Sequence, residues 1–555
     1  MNNSYKNKII ELEITDIAGT GYGVGKYQNI TVFVNQTVIG DTAKCKIETV
    51  KKNYMTARLL KLVKPSVYRQ EPPCPVSGIC GGCQIQSLKY EYQLKYKENL
   101  LRENLKRIGG IENPMIDSIV KMDSPYNYRN SAKLPVKEVD GKIVIGFYKN
   151  QSHIAVDCGD CPVQQKINFE IIKVLKTYIK EEKIKIYDEI TGAGSLRHII
   201  IRNSRHTNQI MVGLVTKESA QLKNSGSLYA ALRNSAPDIC SLMQNINPKN
   251  TNRITGEKTL LLAGKDHITD TIGDLSFKIG LDTFYQVNSE QMEKLYAIAA
   301  EYAELSDQKT IYDLYCGIGT ISLILAKKAK AVYGVEISEK SIKNAKENAV
   351  LNGISNAHFY KGKVEEILPV LSKQTPNPDV IVLDPARAGA KKEALLKIKE
   401  LAPEKIIYIS CNPSTLARDL ALLLDNETDT ANTPAYEISK ITPVDMFPHT
   451  INVETIVLLS KLDSKKYISV ELPMDDMDLT SAESKATYKK IQNYAFEKFG
   501  VRVSTLYIAQ VKRKYGLEVR EHYNISKNEN QKVLQCPIEK EEAILDALKY
   551  FHMIN

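Results

Sequence analysis

The chain has 555 residues, 43% hydrophobic and 25% charged, which is ordinary for a globular protein, too long for one core, and implies roughly two to four domains. No apolar run approaches about 18 residues, so a membrane-spanning helix is excluded, and the polar opening Met1–Lys6 is no secretory signal; the expected location is cytoplasmic, where the ten cysteines stay reduced and their clusters point to metal binding or catalysis. A net charge of +10 permits an RNA or DNA partner, although a lysine-rich solvated face gives the same total.

Residues 1–65 read as a small antiparallel β barrel. Short alternating runs, Ile10–Ile14 and Ile30–Val34, are broken by Gly19, Gly21, Gly23, Gly25 and Gly40. Lys44, Lys46, Lys51, Lys52, Arg58, Lys61 and Lys64 form either a face for single-stranded nucleic acid or a lysine-protected sheet edge.

Residues 66–275 begin with a cysteine-rich loop and a helix near Tyr90–Ile108, then mix short strands and helices in a β-rich subdomain. Cys74-x5-Cys80-x2-Cys83 and the later Cys158-x2-Cys161 could supply four thiolates to zinc or to an iron–sulfur cluster; spacing does not separate the two, and unligated buried cysteines are the alternative. Two polar turns, Tyr128-Arg129-Asn130 and Gly194-Ser195-Leu196-Arg197-His198, are either RNA contacts or capped turns.

Residues 276–462 alternate strand and helix. Strand Thr310–Leu314 leads through Asp313-x3-Gly317-x-Gly319 into helix Thr320–Lys328; strand Ala331–Val335 ends at Glu336, and a helix spans about Ser341–Asn352. Strand Val380–Leu383 ends at Asp384, strand Ile406–Ser410 ends at Cys411, and Glu454–Leu459 is a late strand. Turn-rich loops are expected at Ser372–Asp379 and Asp425–Ala435. This alternation predicts a doubly wound parallel sheet with ligands at its carboxyl ends. The glycines allow close backbone approach, and an acid after the second strand suits a ribose; Ser322 stands where nicotinamide sites carry a third glycine, so S-adenosylmethionine fits better. A lone strand-end thiol is by default structural. Asp384-Pro385-Ala386-Arg387 and Glu454 at neighbouring strand ends turn Cys411 into a candidate nucleophile, one acid positioning a group and another serving as general base. Residues 463–555 form an appended module with a helix at Ser481–Phe499, a short run at Val501–Leu506 and a basic helix at Ala509–Tyr515.

Taken together, Phe284-Tyr285-Gln286-Val287-Asn288, Asp313–Gly319, Asp384–Arg387, Ser410-Cys411-Asn412-Pro413 and Asp445–Thr450 through Glu454 resemble the RNA uracil-5-methyltransferase family, in its 23S ribosomal RNA branch. The likeness covers about residues 5–460 and includes a barrel that looks like a TRAM domain. It implies a Rossmann-like, S-adenosylmethionine-dependent methyltransferase domain behind a TRAM/OB-like barrel and a β-rich central subdomain, with an α+β appendage outside the match. It also implies that Cys411 adds to carbon 6 of uracil and Glu454 removes the carbon 5 proton. Gln286, Tyr315, Glu336 and Asp384 fall to the cofactor pocket by the same resemblance. Cys74, Cys80, Cys83 and Cys161 fall to a [4Fe–4S] cluster, with Cys158 spare or substituting. The expected partner is 23S rRNA, with no protein partner or membrane, and the expected state is a monomer.

Three positions depart from the family pattern: Ala386 replaces a proline, Asn452 a histidine, and Lys363 a polar or acidic residue near the adenine. Methylation of an exocyclic amine would need an aromatic where Arg387 stands and would not need Cys411. A non-catalytic RNA-binding assembly protein is the alternative from another class. A tRNA target is disfavoured by the resemblance, because that branch generally lacks the barrel and the cysteine loop.

Overall fold

The computed structural model describes residues 5–150, 152–157, 159–425, 435–462, 488–501, 503–515, 517, 536–551 and 553–554. The chain divides into two compact units, Met1–Leu462 and Asp463–Asn555.

The first unit opens with six strands, Ile9–Glu13, Asp16–Ile17, Gly23–Tyr27, Ile30–Val34, Thr42–Val50 and Tyr54–Lys64. Strand Ile30–Val34 runs parallel to the start of Tyr54–Lys64, and the other pairs are antiparallel. The period of two puts Ile10, Leu12, Ile14, Val32, Val34, Ile47 and Met55 inside. A Cβ at Gly23 would stand 2.1 Å from Thr37 Oγ1, and one at Gly25 would stand 2.4 Å from Leu12 Cδ1, so glycine is what lets the strands close over this small core. Buried Asp41 ties the barrel to the following chain: its carboxylate accepts the Val38 and Ser66 amides at 2.7 and 2.9 Å and pairs with Arg69 at 2.5 Å.

The helix expected near Tyr90–Ile108 spans Tyr90–Arg107. Its Leu101 and Leu105 enter the same core as Leu416, Ala417 and Leu420, so a segment early in the chain packs against the helix that follows Cys411. The central sheet runs, edge to edge, Lys258–Gly264, Ile239–Ile246, Ile210–Thr216, Leu196–Asn203, Ser131–Val139, Lys142–Tyr148 and Ala155–Asp157. Helices Ile167–Glu181 and Ser225–Ser235 cover one face through Ile199, Ile201 and their neighbours. From the other face Ile200, Met211 and Val215 join the catalytic core.

The catalytic sheet runs Ala357–Lys361, Ala331–Glu336, Thr310–Leu314, Val380–Leu383, Lys405–Ser410, Glu454–Lys461, Tyr436–Val444. One expectation needs correction. The sheet is mixed, because Glu454–Lys461 runs antiparallel to both neighbours. Glu454 therefore opens its strand, and it reaches the ligand edge because the register Ser410↔Thr455 sets an amino end beside a carboxyl end. The expected loop at Ser372–Asp379 is shortened by helix Val364–Gln374, and the loop at Asp425–Ala435 lies almost wholly outside the described residues.

In the second unit, helices Tyr488–Phe499, Thr505–Lys514 and Ile538–Tyr550 enclose Ile491, Ala495, Ile508, Val511, Ile544 and Leu548. The expected start of the first helix at Ser481 lies outside the described residues. The short run at Val501–Leu506 forms no strand among the described residues; Ser504 caps a helix beginning at Thr505. Among the described residues no helix is long and apolar enough to cross a membrane.

Candidate active site

The strand Thr310–Leu314 is buried along its whole length and delivers Asp313 to its carboxyl end. Asp313 accepts the Ser322 hydroxyl, while its Oδ1 is buried without a partner. Burial pushes its carboxyl up to about 7. The chain then turns through Tyr315, Gly317 and Gly319 at φ of 69°, 57° and 81°. Tyr315 holds a left-handed conformation that costs a non-glycine residue roughly 1–3 kcal/mol; the Tyr315 and Cys316 amides, both bonded to Val335 O at 2.9 and 3.0 Å, hold it there. A Cβ at Gly319 would meet the Phe359 ring at 3.0 Å, whereas the space beside Gly317 is open. Glu336 spans the turn, its two oxygens accepting the Gly317 amide at 3.3 Å and the Ser338 amide at 2.7 Å. Tyr315 is half-buried, its phenol pushed up to about 12 by burial and then by Glu365.

Gln286 is buried, and its carbonyl accepts Asn130 Nδ2 at 2.8 Å; Asn130 also bonds Ser289. Arg202 donates to the carbonyls of Leu281 and Thr283. Two residues of the central sheet region thus hold the whole segment 281–289. Of the two polar turns expected as RNA contacts or caps, Tyr128-Arg129-Asn130 serves as an internal brace: Tyr128 is buried and donates to Pro448 O at 3.0 Å.

Strand Lys405–Ser410 hands over to helix Pro413–Leu424 through Cys411 and Asn412 alone. Asn412 Oδ1 caps the helix on the Ser414 amide at 3.1 Å, with Pro413 in the first turn. Asn412 Nδ2 and Thr415 Oγ1 both donate to Arg387 O, at 3.0 and 3.2 Å. The thiol therefore sits on a two-residue elbow stitched to the Asp384–Arg387 loop. Ala386 is exposed, and the loop keeps this anchorage without the second proline.

Cys411, Asp384, Glu454 and Arg387 act on one another electrostatically. Burial, then the Asp384 charge, holds the Glu454 carboxyl well above the usual carboxylate range. Burial, then Asp313, raises Asp384 to about 7. Burial, then Glu454, raises the Cys411 thiol to about 11, opposed by the nearby Arg387 guanidinium. This acid-rich, cation-poor cluster favours a positively charged ligand, as an S-adenosyl sulfonium is. Sequence reasoning missed Arg387 as the partner of the thiol; its place three residues after Asp384 was the available signal. Lys363, at the departure near the adenine, pairs with Glu366 of its own helix at 2.6 Å.

The Asp445–Thr450 block is structural. Asp445 forms a fully buried ion pair with Lys97, accepts Tyr90 OH at 2.7 Å, and Lys97 also donates to Phe447 O at 2.9 Å. Buried His449 exchanges bonds with Gln93, approaches Pro125 O at 3.0 Å and offers its carbonyl to the Gln84 and Ile85 amides. Asn452, in the histidine slot, bonds Thr450 Oγ1. The cysteine loop is thereby fastened to the segment that leads into Glu454.

Cys74, Cys80, Cys83 and Cys161 come within electrostatic reach of one another, whereas Cys158 lies outside the described residues. The Cys80 sulfur accepts the Gly82 amide at 3.4 Å, and the amides of Val76, and of Val163 and Gln164, act on the Cys74 and Cys161 thiols. Burial raises all four thiols and these amides oppose the rise, so the protein alone favours thiols, while four cysteines so grouped are the donor set a thiolate-held group takes. Among the described residues no group of three or more His, Cys, Asp or Glu side chains is arranged to hold a metal ion.

Over residues 241–462 the chain matches the family described as tRNA (Uracil-5-)-methyltransferase, and over residues 3–60 it matches the TRAM domain. RNA methyltransferases of Halalkalibacterium halodurans and Clostridium acetobutylicum, described as uncharacterized, are 41% and 43% identical over 82% of this chain, covering 97% and 98% of their own lengths. The solved structure of Pyrococcus abyssi tRNA (uracil-54, C5)-methyltransferase in complex with S-adenosyl-L-homocysteine matches with a TM-score of 0.65 at 30% identity, covering 81% of this chain and 99% of that one. The fold is that of the S-adenosylmethionine-dependent methyltransferases, preceded by a TRAM domain.

Proposed function

We propose, from the premise that this chain belongs to the family of S-adenosylmethionine-dependent RNA (uracil-5-)-methyltransferases, that it methylates carbon 5 of a uridine in 23S ribosomal RNA through a covalent bond to Cys411. The observation that carries this reading is the electrostatic coupling of Cys411, Glu454, Asp384 and Arg387 at one edge of the sheet.

Carbon 5 of uracil is a poor nucleophile. The Cys411 sulfur, as thiolate, adds to carbon 6; the electrons of the 5,6 double bond move to the carbon 4 oxygen, and the resulting enolate makes carbon 5 nucleophilic. Arg387, whose charge acts on the sulfur, favours the thiolate. When bound, S-adenosylmethionine supplies the electrophilic methyl group; Gln286, Tyr315, Glu336 and Asp384 would hold it, and the orphaned Asp313 Oδ1 and open space beside Gly317 are in keeping with a ligand there. Glu454 then takes the proton from carbon 5, the 5,6 double bond re-forms, and the sulfur–carbon bond breaks to return Cys411 as thiolate. Burial, then Asp384, favours the protonated form of Glu454 in the free protein, so it acts from its ionised form, which a bound sulfonium would favour and in which it is a stronger base than an ordinary carboxylate. The target base has to leave its stack to reach the thiol.

A [4Fe–4S] cluster on Cys74, Cys80, Cys83 and Cys161 completes the reading. The support is the mutual coupling of the four thiols and the amides directed at three of them. The cluster would cross-link the loop that His449 fastens to the catalytic segment, without entering the reaction.

A tRNA uridine is the second reading for the substrate. It is favoured by the Pyrococcus abyssi tRNA enzyme, whose match covers 81% of this chain, far more than the catalytic domain, so the barrel and cysteine loop no longer argue for ribosomal RNA alone. The deciding experiment is nucleoside mass spectrometry of unmodified 23S rRNA and of unmodified total tRNA after incubation with the protein and S-adenosylmethionine, with Cys411→Ala alongside. We expect 5-methyluridine in 23S rRNA with the parent protein only. Its appearance in tRNA alone transfers the substrate, and its absence from both, with cofactor bound, overturns carbon 5 methylation.

A further inference from the structure

The second polar turn, Gly194–His198, takes no part in the site described above. At the start of strand Leu196–Asn203 the pairing with Ile210–Thr216 slips between Leu196 and His198. Such a bulge breaks the alternation of faces: Leu196 lies with Ile199 and Ile201 in the helix-covered core, and Arg197 and His198 together line a cavity of about 420 Å³, within the ~300–1,000 Å³ range of ligand sites.

Tyr148 and His153, whose ring centroids lie 5.4 Å apart, form aromatic wall, and Lys133 and Arg253 stand exposed at the cavity. Arg197 is 5% exposed; it donates to Asn247 O at 2.8 Å and Lys249 O at 2.7 Å, fixing the loop that carries Arg253, and its Nε is buried without a partner. His198 is 8% exposed and its Nδ1 has no partner either. Burial, then Arg197, lowers His198 to about 4, so at neutral pH it is an uncharged ring with one donor and one acceptor. The acid in the lining, Glu189, is already engaged by Lys137 at 2.8 Å, His153 at 3.0 Å and Tyr148 OH at 3.2 Å. The cavity thus combines aromatic faces, buried polar atoms without partners, and cations in excess.

Its placement matters as well. Lys133 and His198 lie on paired strands, with Ile200 opposite Lys133 and His198 opposite Pro135. Arg202, four residues beyond His198 and about 14 Å away along the strand, is the brace for the segment that carries Gln286. A neighbouring cavity of about 470 Å³ shares Phe147, Tyr148 and His153 and reaches Gly81 and Gly82, between Cys80 and Cys83.

We propose that the Arg197–His198 cavity is a second nucleotide pocket, which takes an unpaired base of the substrate RNA other than the base that is methylated. The base stacks on the Tyr148–His153 wall and bonds His198 and Arg197, and flanking phosphates meet Lys133 and Arg253. This rests on the reading of the protein as an RNA methyltransferase.

The test uses full-length Cys411→Ala protein, photocrosslinked to unmodified 23S rRNA and to unmodified total tRNA, with crosslinked peptides and nucleotides sequenced. Crosslinks to Tyr148, His153 or His198 from a nucleotide other than the methylated one are expected. In otherwise unaltered protein, the exposed pair Lys133→Ala with Arg253→Ala should weaken RNA binding about tenfold and lessen its log–log salt slope by about 1.4, about 0.7 per lost single-strand phosphate contact. His198→Ala should raise KM about tenfold while kcat holds. The proposal is overturned if the parent methylates an RNA that crosslinks only elsewhere and all three substitutions leave its affinity and salt slope unchanged, or if the base in this pocket proves to be the methylated one. Should the parent methylate neither RNA, the catalytic reading fails by itself, and pocket crosslinks still support the second site whereas their absence removes it.

Discussion

Two buried charged clusters lie within ten residues of one another in the chain and are built on opposite plans. Around Asp445, Lys97 supplies a cation and Tyr90 a further donor, while His449 nearby is engaged on both ring nitrogens and both backbone groups. Around Glu454, two carboxyls and a thiol act on one another, Arg387 is the cation that acts on the thiol and Glu454, and Asp313 keeps an oxygen without a partner. The first cluster is satisfied from within and fixes the chain. The second is held at unfavourable protonation by burial, which is tolerable where a ligand completes the arrangement. The contrast separates residues of the Asp445–Thr450 block, which are satisfied from within, from the proposed base Glu454 just beyond it, although all sit in one continuous motif.

Substitutions can break this contrast from either side. The largest effect is expected at Cys411: Cys411→Ala should lower the single-turnover methylation rate by about 10⁴-fold or more, the scale of losing a nucleophile, with RNA affinity and melting temperature kept. A loss of RNA binding in step with activity would make Cys411 structural instead. Next comes Glu454→Gln, which should slow turnover about 10²–10⁴-fold and, unlike Cys411→Ala, leave a methylated RNA–protein adduct that survives denaturing electrophoresis. If no adduct accumulates, another base takes the carbon 5 proton.

The satisfied cluster should respond through stability. Lys97→Met leaves Asp445 buried and unpaired, at a cost of about 3–5 kcal/mol, read as a lowered denaturation midpoint, with kcat of the remaining folded protein within about threefold of the parent. A large kcat loss without destabilisation would place Lys97 in the chemistry and erase the distinction.

The smallest effect concerns protonation. A thiol raised to about 11 is mostly protonated at neutral pH, since raising the folded-state value favours the neutral form. Alkylation of Cys411 by iodoacetamide, followed by peptide mass spectrometry in the ligand-free protein, should therefore quicken about tenfold per pH unit toward that midpoint. Arg387→Ala should move the midpoint upward by about one unit, because Arg387 is the group that opposes the rise; an unchanged midpoint would remove Arg387 from the account.

Much of this was legible in the residues themselves. The apolar runs ending at Leu314, Leu383 and Ser410 became strands with Asp384 and Cys411 just past their ends, because a short run bounded by glycine or proline has few other ways to be buried. The period of two gave the barrel its inside and outside. The glycines of the turn after Leu314 were readable because a left-handed backbone excludes most other residues; Tyr315, which shares that conformation, carried no such mark.

What only the tertiary structure decided are the relations between distant segments. Strand direction is invisible to a period-two pattern, so a parallel position for Glu454 was as readable as the antiparallel one that brings it beside Cys411. The pairing of Lys97 with Asp445 spans 348 positions, and burial, which sets the protonation of Cys411, Asp384 and Glu454, depends on what the whole chain folds over them. Residue types and local periodicity fix the elements and the reactive groups available, because those depend on near neighbours. Which groups meet, and which remain unsatisfied, depends on long-range packing and appears only once the sheets have assembled.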